Sequence, residues 1–551
     1  MPRVNPAPAI QPDPSASTVI SAWAPLRRRV FAALWIGGLS VNIGIWIRET
    51  GAGWLMTDLR PTPIMVSLVS VSTTLPMFLL SIPAGALADV LDRRRLMLVV
   101  QIFGMLIAGL LAATVLAGRI TAELLLLCML ALGAAQALVN PAWQAAMADL
   151  VPREELPAAS TLNSVSLNLS RAIGPGLGGV AMAYLAGPIA AFVISALSFI
   201  AIIAALAFWT PAQPARSQSS LSGERFFGAM RAGLRYVRHS PPLHSVLVRT
   251  LSFVLAASSL WAFMPLIARD HLGTDASGFG TLMGCMGLGA VLATLALPRV
   301  RTRLNSNQQV ILATILYAVA LTLIALVPDK RAALPAMALA GAAWVTMVVN
   351  LNVAAQTGVP PWVRGRALAT YFTVFFGSMA VSSPIWGAIA TITSLPTAML
   401  ISAAVALAGL VTMLRFPLTL PSAADLERSG HWESPQVSRA INPDDGPVVI
   451  TIEYFIPEAR SAEFAAAMQP VAQTRWRDGA ISWTLARCTE NPRRWLEVFV
   501  VESWAEHLRQ HDRVTHGDRK VQDQARAFHT PIEGEPERPR VSHFIAARGN
   551  A

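Results

Sequence analysis

Long uncharged runs, mostly apolar, alternate along three quarters of the chain with short polar turns. A helix needs ~20 mainly apolar residues to cross the hydrocarbon core of a bilayer. Stretches of that size occupy residues 30–47, 61–88, 96–118, 124–148, 172–215, 250–268, 276–298, 304–328, 332–363 and 367–414. The two longest, 172–215 and 367–414, are about twice the length of one crossing. Each contains a turn sequence, Gly187-Pro188 in one and Ser394-Leu395-Pro396 in the other, so each folds back. The pattern predicts twelve helices, with both chain ends on one side of the membrane.

Beyond residue 416 the period changes. Residues 417–446 are rich in Pro, Ser and charge and read as a linker. VVITIEYFI (448–456) alternates like a strand, and the next segment places Phe464, Met468 and Val471 on one helical stripe. Two strands follow over 480–504, joined at Glu490-Asn491-Pro492, then helical sequence over 505–528 and a last strand at 541–547. The order β-α-β-β-α-β predicts a ferredoxin-like α+β domain. The expected fold is therefore an all-α membrane protein, twelve transmembrane helices in two six-helix halves, with a soluble C-terminal α+β domain. Its divisions are a disordered cytoplasmic N-terminus (1–25), a first half (26–210), a connector (211–242), a second half (243–416), the linker (417–446) and the soluble domain (447–551).

Composition agrees with two solvents. Only 14% of residues are charged, against roughly 25% in soluble proteins. Residues 1–415 carry 27 basic and 13 acidic groups, whereas residues 416–551 carry 16 and 19. The net charge of +11 lies in short loops between apolar runs, so it reflects topology and not a nucleic-acid surface. Cys128, Cys285 and Cys488 fit no disulfide or zinc spacing, and no metal site is expected. The first 25 residues lack the apolar core of a cleavable signal. With the N-terminus inside, nineteen arginines lie on that side and five basic residues (Arg60, Arg119, Arg269, Lys330, Arg331) on the other, which places both termini in the cytoplasm.

The connector includes ERFFGAMRAGLRYVRH. Phe226, Met230, Leu234 and Val237 form one stripe, and Arg231, Arg235 and Arg238 another. This reads as a basic amphipathic helix on the inner leaflet, or else as a solvated connector. AAMADLVP (145–152) and VAAQTGVP (353–360), at the ends of the fourth and tenth helices, share a run closing on Val-Pro, a weak trace of duplicated halves.

After the second helix stands GALADVLDRRR (85–95). Gly85, Asp89, Arg93 and Arg94 resemble the loop signature of the major facilitator superfamily, with Val90 and Asp92 departing from it. Gly85 permits close helix approach, and Asp89 at a helix end can face another helix's N-terminus; breaking such contacts would open an inner gate. The alternative is that Arg93–Arg95 only anchor topology. On the fifth helix, Gly174, Pro175, Gly178 and Gly179 resemble the glycine-proline element of the superfamily's exporters. They serve either as a seam controlling leakage and direction or as plain small-residue packing. The runs at 42–59, 73–89, 140–156 and 167–179 are similar to the secretion-effector branch, related to enterobactin-type exporters. The resemblance extends over almost the whole chain and implies proton-coupled export of a small organic molecule from a bacterial inner membrane. The C-terminal domain resembles the antibiotic-biosynthesis monooxygenase type, which implies dimerisation.

Ionisable groups inside membrane helices are costly and mark function. Glu49 is the one carboxylate clearly within a helical run, and Arg171 lies midway along the fifth helix. Glu49 is the expected proton carrier, with Arg171 pairing either with it or with an anionic substrate. Alternatively Glu49 and Arg48 are a surface pair at the outer mouth. Asn42, Gln144, Asn163 and Asn168 in the first half, with Gln136 and Asn140, and Asn352 and Gln356 in the second, with Asn350, are expected to line a cavity for amphiphilic substrates. In the soluble domain, Trp483, Trp495, Trp504, His507, His511 and His516 could line an aromatic pocket, but no catalytic residue or cofactor motif accompanies them. The function expected is a proton-driven secondary transporter working by alternating access, with the proton gradient as energy source. The alternatives are a transporter fused to an active monooxygenase-like domain and a nutrient importer. The expected partners are the bilayer and a small-molecule substrate, with dimerisation through the C-terminal domain.

Overall fold

The structure, a computed structural model, describes residues 21, 23–210, 233–419, 421–432, 435, 437, 440–531 and 537–546. The side chains at 81–82, 85–86, 88–90, 148, 153, 157 and 423 are also outside the description. Most of the N-terminal segment 1–25, and Phe226, Met230 and Arg231 of the connector, therefore lie outside the described residues.

Twelve long helices follow in order: α1 (Arg29–Leu59), α2 (Pro63–Val90), α3 (Arg93–Leu116), α4 (Ala122–Leu150), α5 (Leu156–Tyr184), α6 (Pro188–Phe208), α7 (Pro241–Leu266), α8 (Ala276–Arg301), α9 (Ser306–Leu326), α10 (Lys330–Thr357), α11 (Arg364–Ile392) and α12 (Leu395–Gly409, continued by Thr412–Arg415). Among the described residues, eleven helices are long and apolar enough to cross a membrane. The exception is α5. Its 29 residues are long enough, but Asn163, Ser164, Ser166, Asn168, Ser170 and Arg171 lower its apolarity.

Short polar caps separate the apolar runs. Asp92 accepts from Arg95 N at 2.8 Å at the start of α3, and Asp275 accepts from Gly278 N at 2.9 Å at the start of α8. Asn305 and Gln308 form a capping box on α9. Each such contact satisfies amides that a helix start leaves open. The two fold-backs fall where turn chemistry places them. Gly187 takes a positive φ of 63° before Pro188, which glycine adopts without strain. Ser394 caps α12 through Thr397 N at 3.2 Å.

Packing repeats with a shift of six helices. In the first half α1 packs on α5 and α6, α2 on α4, and α3 on α4 and α6. In the second, α7 packs on α11 and α12, α8 on α10, and α9 on α10 and α12. The halves meet along α2 with α11 and α5 with α8, pairs that the same shift interchanges. The weak repeat at 145–152 and 353–360 thus marks equivalent helix ends. At the ends of the helices remote from the two termini, Arg269 of the turn after α7 donates to Asp58 of α1 at 2.5 Å, joining the halves.

The C-terminal part carries β1 (Val448–Phe455), α13 (Ser461–Asp478), β2 (Ala480–Arg487), β3 (Arg494–Val501), α14 (Trp504–Arg513), α15 (His516–Arg526) and β4 (Arg540–Ile545). The sheet order is β2-β3-β1-β4, and all three pairings are antiparallel. Phe464, Met468 and Val471 of α13 pack on alternate residues of β1 (Val448, Ile450, Ile452, Tyr454) in one core. A buried Arg475–Glu497 pair at 2.9 Å joins α13 to β3. Described residues of the segment read as a linker lie against this domain, with Arg475 over the Trp432 ring at 5.0 Å.

The described part of the connector differs from the expected stripe. In its helical turn 233–238 the buried residues are Tyr236 and Val237, while Leu234 is exposed. Tyr236 and Val237 pack with Leu243, Val359, Val363 and Ala367 of the second half. Arg235 turns to the soluble domain and donates to Glu506 at 2.8 Å, and Arg513 lies over Trp362 at 4.7 Å. Protein, not lipid, covers this face because Tyr236, about 200° around the helix from Leu234, brings a larger apolar surface to the second half.

Candidate functional site

Helix α1 continues to Leu59, so Glu49 stands about ten residues, or ~15 Å, inside its end. Arg48 and Glu49 do not form a surface pair. Successive helical residues diverge by ~100°, and Arg48 is buried, donating to Ser195 Oγ of α6 at 3.1 Å. Glu49 is half-buried. Among the described residues it makes no ion pair or hydrogen bond.

Arg171 and Glu49 are not brought together. The Arg171 guanidinium lies over the Trp46 ring, 5.5 Å from its centroid. Gly174 of α5 abuts Trp46, and Gly178 abuts Ile47 and Thr50. Glu49 is therefore level with Gly178, about seven residues or ~10 Å along the axis from Arg171. Arg171 faces Tyr371 of α11 instead, close enough for an electrostatic interaction.

Around Arg171 the two halves share a chain of rings. Trp46 of α1 lies 5.8 Å from Trp261 of α7, and Trp261 lies 5.3 Å from Trp344 of α10. Trp344 meets Phe375 of α11 at 6.0 Å, and Phe375 meets Tyr371 at 6.2 Å. The circuit closes through Arg171. Four of its buried polar atoms have no hydrogen-bond partner: Arg171 Nε, Trp261 Nε1, Trp344 Nε1 and Tyr371 Oη. Nothing in the sequence selected these aromatics, since they lie on four separate apolar runs and no local pattern shows which of them meet.

The amides divide by role. Asn42 donates to Ser166 Oγ at 3.3 Å and Asn163 accepts from Trp143 at 2.9 Å, so both join helices. Asn168 donates to its own helix at Ser164 O. Gln356 pairs with Asn352 at 2.5 Å, and Gln144 is exposed.

In the loop after α2, Gly85 and Asp89 lie outside the described side chains. Arg93 pairs with Asp149 of α4 at 2.6 Å. Arg94 donates to Leu206 O at 2.8 Å and Ala207 O at 2.6 Å, satisfying open carbonyls at the end of α6. These arginines tie helices within the first half. The glycine-proline element faces two ways. Gly174 and Gly178 admit α1, whereas a Cβ on Gly179 would run into the backbone of Gly280 on α8.

In the soluble domain Trp483 donates to Glu497 at 3.1 Å, Trp495 packs 5.6 Å from Phe464 and Trp504 is in the core. His507 and His511 meet with Nε2 atoms 3.3 Å apart, and the His543 ring is 4.8 Å from His507. Burial, then the neighbouring imidazoles, push His507 down to about 3 and His511 to about 4. His516 starts a different helix. The arrangement is a packed core with neutral histidines.

The family profile described as transmembrane secretion effector matches residues 20–550. A multidrug efflux pump, Tap, of Mycolicibacterium fortuitum is 27% identical over 65% of this chain and 86% of its own length. The staphyloferrin A transporter of Staphylococcus aureus is 23% identical over 51% of this chain and 69% of its own. Among solved structures, an inward-facing bacterial homologue of the human lysosomal transporter Spinster superposes with a TM-score of 0.56 at 14% identity, covering 71% of this chain and 95% of that one. The nucleoside transporter NupG gives 0.54 at 15% identity, covering 70% and 98%. These two likenesses concern the fold.

Proposed function

Because the chain belongs to the transmembrane secretion effector family, and is thus a multi-pass membrane transporter of the major facilitator type, we propose that it exports a small organic molecule by alternating access driven by the proton gradient. The observation that carries this reading is the six-helix shift in packing around one seam. Two equivalent halves meeting along interchangeable pairs can rock about the seam without unfolding either half. Relatives named as a drug efflux pump and a siderophore transporter support a drug, siderophore or secondary metabolite as the cargo.

In this reading α5 is the twelfth crossing. Two of its polar residues, Ser166 and Ser170, are buried, and its glycines pack on α1 and α8. Both termini lie in the cytoplasm of a bacterial cell, and Glu49 carries the proton. Its place inside α1, with no cation paired to it among the described residues, leaves it available to exchange protons. We read the C-terminal domain as ferredoxin-like, which the strand order β2-β3-β1-β4 supports; it docks on the second half and is assigned no catalysis. It also offers a pairing surface, since the edge strand β4 exposes Val541, Phe544 and Ile545.

Accumulation of a fluorescent drug substrate in cells lacking or overproducing the protein tests the direction. Lower accumulation with more protein supports export; higher accumulation supports import and overturns the proposal.

A further inference from the structure

We propose that the cluster of Arg171, Trp46, Trp261, Trp344, Phe375 and Tyr371 binds planar aromatic organic anions, with the anionic group held by Arg171 and Tyr371 and the ring stacked against the tryptophans. This names the substrate class of the export reading above and rests on it.

Charge decides the sign. Arg171 makes no ion pair or hydrogen bond among the described residues, and its Nε is buried without a partner. The intramembrane carboxylate on the α1–α5 contact, Glu49, stands about seven residues along the axis from the Arg171 backbone and forms no ion pair with it among the described residues. A half-buried guanidinium within a membrane helix and without a counter-ion is costly, and an anionic ligand supplies that counter-ion through charge-assisted hydrogen bonds. A cation would be repelled.

Hydrogen-bond character agrees. Arg171 Nε, Trp261 Nε1 and Trp344 Nε1 can only donate, and Tyr371 Oη can donate. Trp344 and Tyr371 are 4% and 1% exposed, so their open donors do not face bulk solvent. Three of these four open groups can only donate, and the fourth can donate, the complement of a carboxylate or phenolate. Shape sets the rest. Consecutive ring centroids 5.3–6.2 Å apart, at interplanar angles of 42–68°, present π faces from both halves to one region, which suits a flat ring. Helices α1 and α5 supply Trp46 and Arg171, and α7, α10 and α11 supply the other four, so a bound anion bridges the halves.

The test uses the full-length protein in nanodiscs, with binding followed by quenching of tryptophan fluorescence. Three probes share one ring system: 2-naphthoate, neutral 2-naphthamide and cationic 2-naphthylmethylammonium. The expected result is naphthoate tightest by about ten-fold or more over the amide, with the ammonium weakest. Arg171→Gln should reduce naphthoate affinity to that of the amide, Arg171→Lys should retain part of the preference, and Tyr371→Phe should lose several-fold for naphthoate alone. If the Arg171 variants do not fold, as judged by gel filtration, the three-probe series on the unaltered protein decides. Equal or better binding of the amide or the ammonium, no measurable naphthoate binding, or an Arg171→Gln protein with unchanged naphthoate affinity overturns the proposal. Failure of the export reading looks different: naphthoate binds with the stated preference, but no substrate moves in response to a proton gradient.

Discussion

Gly179 of α5 and Gly280 of α8 face each other so closely that a Cβ on either would overlap the other's backbone. The contact joins one half of the transporter to the other, and α5 and α8 are one of the two helix pairs that run along the seam. Small residues here let backbones touch, the main source of helix adhesion in lipid, where no hydrophobic force acts between helices.

Gly179→Val should therefore lower transport at least ten-fold while the protein still inserts, because the overlap is with backbone that cannot swing aside. Gly109→Val is the control, since a Cβ there meets nothing within 4 Å. Substrate flux in reconstituted vesicles checks the pair; equal flux in both variants would contradict a close seam.

Glu49→Gln should abolish the response of transport to a pH gradient while leaving substrate binding in place. The amide keeps the size of the side chain and removes the titrating proton. Flux measured with and without an imposed gradient decides. A variant with unchanged proton dependence removes Glu49 from the mechanism.

Glu506 accepts from Arg235 at 2.8 Å and from Arg513 at 2.6 Å, so it ties the connector to the soluble domain. Burial alone would raise its carboxyl, but Arg513 and Arg235 bring it below the usual carboxylate range. Glu506→Gln removes the charge that Arg235 and Arg513 share, at a cost of about 3 kcal/mol. Amide hydrogen exchange at residues 233–238 should rise at least ten-fold. Unchanged exchange there would show that other contacts hold the domain.

The soluble domain should lose stability as pH falls. His507 and His511 have folded values of about 3 and about 4, below the ~6.5 of an unfolded chain. The unfolded state therefore binds protons first, and stability is full above pH ~6.5 and falls as pH drops toward those folded values. Asp478 acts oppositely, because burial raises its carboxyl to about 6. The net loss between pH 7 and pH 5 is about 2 kcal/mol. Urea unfolding of the full-length protein, followed by hydrogen exchange in the β1 and β3 strands, measures it; His507→Phe with His511→Phe should flatten the slope.

Much of this architecture was legible because its determinants are local. The fold-backs at Gly187 and Ser394 needed only a glycine free to take a positive φ and a serine able to cap. The strands of the soluble domain followed from alternation in residues such as Val448, Ile450 and Ile452. Arg171 and Glu49 also stood out, since a charge in an apolar run is conspicuous. Their partners were not legible. Whether Arg171 meets Glu49 depends on the axial stagger of α1 against α5, set by Gly174 and Gly178 packing on Trp46 and Ile47, which no single-helix pattern encodes. The ring circuit escaped for the same reason. Trp46, Trp261 and Trp344 are separated by long stretches of chain and meet only when the two halves close. The connector misled because Leu234 continued a regular stripe, while Tyr236 found a larger apolar partner in the second half.

Proton-driven export is decided in everted membrane vesicles. With the interior made acidic by respiration, vesicles bearing the protein should accumulate a fluorescent substrate above those lacking it, and nigericin, by collapsing the pH gradient, should release the excess. Accumulation that persists after the pH gradient is collapsed, or none above the control vesicles while uptake occurs in right-side-out vesicles, would contradict it.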